Sequence, residues 1–195
     1  MIKAVIFDCF GVLASDGWLP FKNKYFGGNK EFFDKASQIN QQSDAGKISY
    51  EEFLGEVAKM AGVSKEKARY YIEHNVPDEK IIEYIAQLKS DYKIGMLSNA
   101  SGNWLDQIFT EGQVGLFDAI SLSYQTGFIK PDPKAYETIL DKLGINASEA
   151  VLIDDQVRYC EGGRAIGMQV IQYQSFAQMK SELEKILAAS TSSNN

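Results

Sequence analysis

Side chains that could attack or bind a phosphoryl group stand at the ends of short apolar runs in this chain. Asp8 follows the run "AVIF", Ser98 closes "KIGMLS" just before Asn99, and Asp154 closes "AVLID" just before Asp155. If these runs are parallel strands, their carboxyl ends meet at the sheet edge where ligands bind. A carboxylate nucleophile, an acidic pair and a hydroxyl group would then face the same ligand.

Lys130 adds a positive charge to this set. It lies in "GFIKPDPKAYE", a loop with Gly and Pro just before a helical pattern. Asp8 and a phosphate monoester are both anionic and repel each other, and a Mg²⁺ ion held by Asp8, Asp154 and Asp155 would offset that repulsion. We expect Lys130 and Ser98 to contact phosphoryl oxygens. Asp8 would attack phosphorus and form an aspartyl-phosphate that water hydrolyses.

The apolar runs predict an α/β fold with a parallel sheet. Runs rich in Val, Ile and Leu alternate with longer helical patterns, which is typical of parallel crossover units. Their nearly continuous apolar character indicates strands that are covered on both faces. The predicted strands are residues 4–7, 93–98, 119–123, 150–154 and 168–173.

The segment between the first two strands is too long for one crossover helix. It contains several stretches with helical spacing of apolar residues, and Ser49, Ser64 and Asp78 stand at expected helix N-caps, while Gly62 stands after an expected helix end. These signals predict a helical insertion over the sheet edge, which can serve as a lid.

Four motifs together resemble the haloacid dehalogenase-like hydrolase superfamily. They are "VIFDCFGVL", "MLSNAS", "IKPDPKAYE" and "VLIDDQVRYCEGGRAIGM", in that order over about residues 1–175, and "SDAGKISYEEF" resembles the helical cap inserted after the first motif. The resemblance implies Asp8 as nucleophile and Ser98 and Lys130 as phosphate-side groups, with Asn99 beside them in substrate binding.

The resemblance also implies a domain division. A Rossmann-like catalytic core is expected over residues 1–14 and 93–187, with an α-helical cap over residues 15–92. The small polar residues at the end of the chain predict a disordered tail over residues 188–195.

Phe10 departs from the phosphatase pattern of the superfamily. The residue two places after the nucleophile is there a second Asp, which protonates the leaving alcohol and then activates water. Phe10 can transfer no proton. The rate acceleration that general acid–base catalysis gives, a factor of about 100 to 10,000 or about 3 to 5 kcal/mol of activation free energy, is therefore lost. The backbone carbonyl of Phe10 can still join Asp8, Asp155 and Asp154 as a magnesium ligand. A second departure from the pattern is Tyr159, which stands where phosphatases often have a further acid.

The sequence predicts a magnesium-dependent phosphatase of reduced activity that acts on a small phosphorylated metabolite. Two alternatives to this prediction stay open. An aromatic residue at the position of Phe10 is also the pattern of metal-independent 2-haloacid dehalogenases. Those enzymes hold their substrate with a cap arginine, and this insertion contains only Arg69. The other alternative is a noncatalytic relative that binds a phosphoryl ligand or a protein.

The net charge of the chain limits the kinds of binding partner that we expect. A net charge of -6 and a pI near 4.9 give no electrostatic reason to expect nucleic acid or an anionic membrane. The start "MIKAVIFDCF" has no signal-peptide pattern, so we expect a cytoplasmic protein, monomeric or homodimeric. Cys9 and Cys160 are expected to be reduced core thiols.

Overall fold

The computed structural model describes residues 1–192 and contains a five-stranded parallel sheet in the order β3-β2-β1-β4-β5. Its strands are β1 (Ala4–Phe7), β2 (Lys93–Ser98), β3 (Ala119–Leu122), β4 (Ala150–Asp154) and β5 (Gln169–Gln172). The predicted strands are therefore confirmed to within one residue at each end. Because β1 is central and pairs with both β2 and β4, Asp8 leaves the sheet between the ends of those two strands.

Helices fill the connections between the strands. They are α1 (Trp18–Phe26), α2 (Lys30–Asp44), α3 (Tyr50–Ala61), α4 (Lys65–Glu73), α5 (Glu79–Leu88), α6 (Leu105–Ile108), α7 (Glu111–Val114), α8 (Ser123–Thr126), α9 (Pro133–Leu143), α10 (Val157–Ala165) and α11 (Phe176–Ser192), with a 3-10 turn at Ala147–Glu149. Among the described residues, no helix combines the length and apolar character needed to cross a membrane.

Apolar side chains cover both faces of the sheet. Val5 and Phe7 of β1 belong to one buried cluster together with side chains of α5 and α11. Ala4 and Ile6 belong to a second cluster with side chains of α9. Successive strand residues point to opposite faces, so this split is what a sheet covered on both sides requires.

Helices α1 to α4, here called the cap, contribute the side chains of a third hydrophobic cluster. This cluster contains Phe21 and Phe26 from α1, together with Phe53 from α3. Ser49 and Ser64 accept the backbone N–H groups of the third residues of α3 and α4, as their N-cap positions predict. The aromatic residues of the first cap helix therefore serve mainly to build the interior of the cap.

Helix α5 lies within the expected cap segment, residues 15–92, but it packs against the sheet. Its Ile81, Ile85 and Leu88 are buried in the cluster of the sheet and not in that of the cap. The N-cap at Asp78 is as expected, with its carboxylate accepting two N–H groups of α5. The apolar face of α5 thus packs with the sheet and not with the cluster of α1 to α4.

The chain end also differs from expectation. Residues 188–192 belong to α11, so this part of the expected disordered tail is helical; residues 193–195 lie outside the described residues. Ser190 Oγ accepts the Ile2 N–H at 2.5 Å, which joins the helix to the segment just before β1. The core thiols Cys9 and Cys160 are both buried and unpaired.

Candidate active site

Asp8 stands at the centre of the site because β1 delivers it there. Its N–H donates to Ile153 O at 2.9 Å, which continues the pairing with β4 for one more residue. Its Oδ1 accepts the Cys9 N–H at 2.7 Å, and only 5% of the residue is exposed. Burial raises the pKa of Asp8 to about 8, although the charge of Lys130 opposes this shift.

Lys130 lies between two carboxylates. Its Nζ is 2.8 Å from Asp8 Oδ1 and 2.5 Å from Asp154 Oδ2, and its side chain has no exposed surface. Burial by itself would lower the pKa of Lys130, but the charges of Asp154 and Asp8 outweigh it and hold the pKa above its ordinary value. The ammonium group is therefore a fixed positive charge, and two of its three N–H donors are engaged.

Asn99 holds the backbone of Lys130, and Tyr159 contacts both Asn99 and the ammonium group of Lys130. Asn99 Oδ1 accepts the Lys130 N–H at 2.8 Å, and its Nδ2 donates to Lys130 O at 3.1 Å and to the Tyr159 hydroxyl at 3.2 Å. The ring centroid of Tyr159 is 5.0 Å from Lys130 Nζ. Sequence reasoning noted at Tyr159 only a missing acid, and nothing in the local pattern indicated these contacts.

Ser98 ends β2 and is 1% exposed. Its Oγ is 3.5 Å from Asn99 O, at the limit of a hydrogen bond. Asn99 lines the cavity described below, whereas Ser98 does not. Neither caps the next helix, since Asn103 Oδ1 accepts the Leu105 N–H at the start of α6.

Asp154 and Asp155 differ in what remains available on them. Asp154 Oδ2 pairs with Lys130 and its Oδ1 accepts the Gln156 N–H at 2.9 Å. Asp155 Oδ2 accepts from Gln156 Nε2 at 2.7 Å, whereas its Oδ1 is buried with no hydrogen-bond partner among the described residues. Such an orphaned carboxylate oxygen favours Asp155 as the available ligand for a cation.

The acidic cluster fits a divalent metal. Carboxylate oxygens of Asp8, Asp154 and Asp155 lie within 4.8 Å of one another, and hard oxygen donors are what Mg²⁺ prefers. Gly11 leaves room for this arrangement, because a Cβ on it would lie 2.9 Å from Asp155 Oδ2. Phe10 lies in the same loop, whose hydrogen bonds use the carbonyls of Cys9 and Ala14.

A cavity of about 550 Å³ opens above the cluster, between the sheet edge and the cap. Core residues Asp8, Phe10, Lys130 and Asp155 line it. The cap contributes both aromatic and polar side chains, which include Trp18, Lys22, Phe33, Asn40, Gln41, Asp44, Tyr50 and Phe53.

In the described part of the chain, two cationic side chains line this cavity apart from Lys130, namely Lys22 and Arg158. Lys22 Nζ donates to Ser37 Oγ at 3.2 Å, and burial together with the charge of Arg158 lowers the pKa of Lys22. Arg158 donates to the Tyr159 hydroxyl at 2.7 Å. The cavity therefore offers cationic, anionic and aromatic contacts to a small polar ligand.

The sequence as a whole matches one family model. Residues 2–167 match the model described as haloacid dehalogenase-like hydrolase. The chain belongs to this family. Membership confirms the resemblance drawn from the four motifs and makes the protein a hydrolase by family.

Relatives within the family agree with this placement. The D-ribitol-5-phosphate phosphatase of Bacteroides thetaiotaomicron is 26% identical over 204 aligned residues, which cover 96% of this chain and 99% of the relative. A haloacid dehalogenase-family enzyme of the same organism, solved with magnesium and inorganic phosphate, superposes with a TM-score of 0.70 at 21% identity. That match covers 90% of this chain and 96% of the other.

The fold is also that of a dehalogenase. The L-2-haloacid dehalogenase of Xanthobacter autotrophicus superposes with a TM-score of 0.63 at 19% identity, over 95% of this chain and 83% of the other. At such identities the solved structures establish the parallel-sheet fold, and the reaction has to be argued from the site.

Proposed function

We propose that this hydrolase is a magnesium-dependent phosphatase that acts on small phosphorylated metabolites through an aspartyl-phosphate at Asp8. The observation that carries the proposal is the convergence of Asp8, Lys130 and the acidic pair at the floor of one cavity, with a buried oxygen of Asp155 left unpartnered among the described residues. Transfer of a phosphoryl group to a carboxylate needs this combination of a nucleophile, a fixed cation and a metal site.

The residues divide the work by position. Asp8 attacks phosphorus, the bond to the leaving oxygen breaks, and the alcohol departs while the phosphoryl group stays on Asp8. Lys130 directs its remaining N–H donor to a phosphoryl oxygen, and Asn99 holds Lys130 in place through its backbone. Ser98 is 1% exposed and lies outside the lining of the cavity, so its hydroxyl is assigned no contact with the phosphoryl group. Water then attacks phosphorus and releases inorganic phosphate and the free Asp8 carboxylate.

Magnesium has a defined place in this scheme. Asp155 through its free Oδ1, Asp8 and the Phe10 carbonyl would hold the ion, with Asp154 as the buried partner of Lys130. When bound, the ion supplies positive charge that offsets the repulsion between the nucleophile and the phosphate.

The cap sets the substrate class in this proposal. Its amide and charged side chains suit a hydroxylated metabolite of a size that about 550 Å³ can hold. Polyol phosphates, such as the D-ribitol 5-phosphate named for the relative from Bacteroides thetaiotaomicron, are therefore the first substrates to test.

Among the described residues, no arginine of the cap lines the cavity, as the dehalogenase alternative would require. Arg69 donates to Glu73 at 2.8 Å and also to Glu51, so its charge is already neutralised, and it does not line the cavity. Without a metal, Asp155 would add negative charge beside an anionic substrate.

Hydrolysis assays separate the candidates. Purified protein is given p-nitrophenyl phosphate, D-ribitol 5-phosphate or 2-chloropropionate, with Mg²⁺ or with a chelator, and Asp8→Asn is compared with the exposed control Asp141→Asn. We expect phosphate release that needs Mg²⁺ and is lost only in Asp8→Asn. Chloride release in the chelator would replace the proposal with the dehalogenase, and no turnover with any compound would favour a noncatalytic relative.

A further inference from the structure

Hydrolysis of an alkyl phosphate in this cavity needs a proton donor, and Phe10 cannot serve as that donor. An alkoxide leaving group must be protonated as its bond to phosphorus breaks, and the residue two places after Asp8 has no acidic proton. If the protein hydrolyses alkyl phosphates, as the proposed function requires, another group facing the cavity has to supply this proton.

Among the residues that the structure describes, four carboxylates line the cavity outside the metal cluster: Asp16, Asp34, Asp44 and Glu73. Asp34 pairs with a neighbouring lysine at 2.5 Å, and Glu73 pairs with an arginine at 2.8 Å. Asp44 accepts from an asparagine amide at 2.7 Å and closes the second cap helix. Asp16 differs from these three because it lies on the segment that leaves the nucleophile.

The loop after β1 carries the chain back towards Phe10. Gly11 N–H donates to Ala14 O at 2.7 Å, and Phe10 and Ala14 form an isolated bridge. Ser15 N–H then donates to Val76 O at 2.9 Å, where the chain returns from the cap. The residues directly after Ala14 are thereby fixed beside the loop of the nucleophile.

Asp16 is held rigidly at this point. Its Oδ1 accepts the first two N–H groups of α1 at 2.8 and 3.3 Å, and both bonds end on that one oxygen. Gly17 N–H donates to Asn75 Oδ1 at 2.8 Å, and a Cβ on Gly17 would lie 2.5 Å from a backbone oxygen of α4. Phe10 and Asp16 line the same cavity as Asp8, so the Asp16 carboxyl borders the space in which the substrate would lie.

We propose that Asp16 is the general acid and base of this phosphatase, in place of the acid that Phe10 replaces. As Asp8 attacks phosphorus, the bond from phosphorus to the leaving oxygen breaks and that oxygen takes the proton of the Asp16 carboxyl. The Asp16 carboxylate then takes a proton from the water that attacks the aspartyl-phosphate. The bond between phosphorus and Asp8 breaks, and phosphate leaves with Asp16 protonated again.

The surroundings of Asp16 favour this role. Burial raises the pKa of its carboxyl, although the two N–H bonds from α1 and the charge of Lys22 oppose the shift. A carboxyl that keeps its proton at higher pH is a better donor to an alkoxide near neutrality.

The dependence on the leaving group tests the proposal. In Asp16→Asn, which keeps a side-chain oxygen to accept the first two N–H groups of α1, kcat/KM for alkyl phosphates should fall by about 100-fold or more. That for p-nitrophenyl phosphate should change much less, because p-nitrophenolate leaves without a proton. The alkyl substrates are D-ribitol 5-phosphate and glycerol 3-phosphate.

Two further variants distinguish a loss of proton transfer from a loss of folding. Asp78→Asn alters a carboxylate that accepts the N–H groups of α5 at 3.0 and 3.3 Å outside this cavity, and should leave both activities unchanged. Adding Phe10→Asp to Asp16→Asn should restore alkyl turnover.

Three results would overturn the role of Asp16: equal losses on alkyl and aryl substrates, no loss on either, or a wild type that hydrolyses only aryl phosphates. A wild type that releases no phosphate from any of these compounds would instead overturn the proposed function itself.

Discussion

Substituting Asp44 with Asn should make the protein more stable at neutral pH and leave its stability unchanged in acid. Asp44 is 8% exposed and ends helix α2 in the cap, where its Oδ2 accepts from Asn40 Nδ2 at 2.7 Å. Burial raises its pKa from 3.8 to about 7, against the opposing effect of the Asn40 bond. The folded chain therefore keeps a proton there that the unfolded chain has already released.

The sign and size follow from proton linkage. Between pH 4 and 7 the folded state binds more protons at Asp44 than the unfolded state, so the free energy of unfolding falls as pH rises. A pKa difference of about 3 units, at about 1.4 kcal/mol each, gives at most about 4 kcal/mol, reached near pH 8. The side-chain amide that Asp44→Asn introduces can still accept from Asn40 but carries no charge, so the variant avoids this loss.

Urea unfolding from pH 4 to 8 measures the effect as a difference between wild type and Asp44→Asn, in which contributions of other carboxyl groups cancel. The difference should be near zero at pH 4 and grow to pH 7 in favour of the variant. The exposed control Asp141→Asn should show no such rise. A difference independent of pH would refute the inference that Asp44 is protonated in the folded protein.

Three other substitutions test the site and the cap. Lys130→Met leaves two buried carboxylates without their cation and should lower the free energy of unfolding by about 3 to 5 kcal/mol, measured with urea; wild-type stability would contradict a buried ion pair. Gly11→Ala needs a side chain at φ +88° and 2.9 Å from Asp155, so Mg²⁺ titration of activity should show weaker binding, and unchanged binding would argue against this packing. Ser49→Ala removes the N-cap bond of α3 and should lower the melting temperature through a loss of about 1 kcal/mol, whereas an unchanged melting temperature would contradict that N-cap.

The strands and the residues at their ends were predictable because each depends on local sequence. Unbroken apolar runs require burial on both faces, and parallel strands bring their carboxyl ends together whatever connects them. Asp8 and Asp154 could therefore be placed at the same edge of the sheet from sequence, although the pairing of their strands could not. The N-caps at Ser49 and Ser64 were predictable for the same local reason, since the side chain contacts a backbone N–H three residues on.

Contacts between distant segments could not be predicted in this way. The amphipathic pattern of α5 shows which face is apolar but not whether the core or the cap covers it. Tyr159 contacts Asn99 across 60 residues of sequence, and Ser190 accepts from Ile2 across 188. Such contacts follow from tertiary packing, which the periodicity of a single segment does not encode.

The enclosure of Lys130 has a consequence for substrate binding. A free lysine side chain loses up to about 2 kcal/mol of rotamer freedom when it is fixed. Here the two carboxylates and the amide of Asn99 fix the chain of Lys130 during folding. An arriving phosphate therefore meets an ammonium group that is already oriented, and its affinity is not reduced by the cost of ordering that side chain.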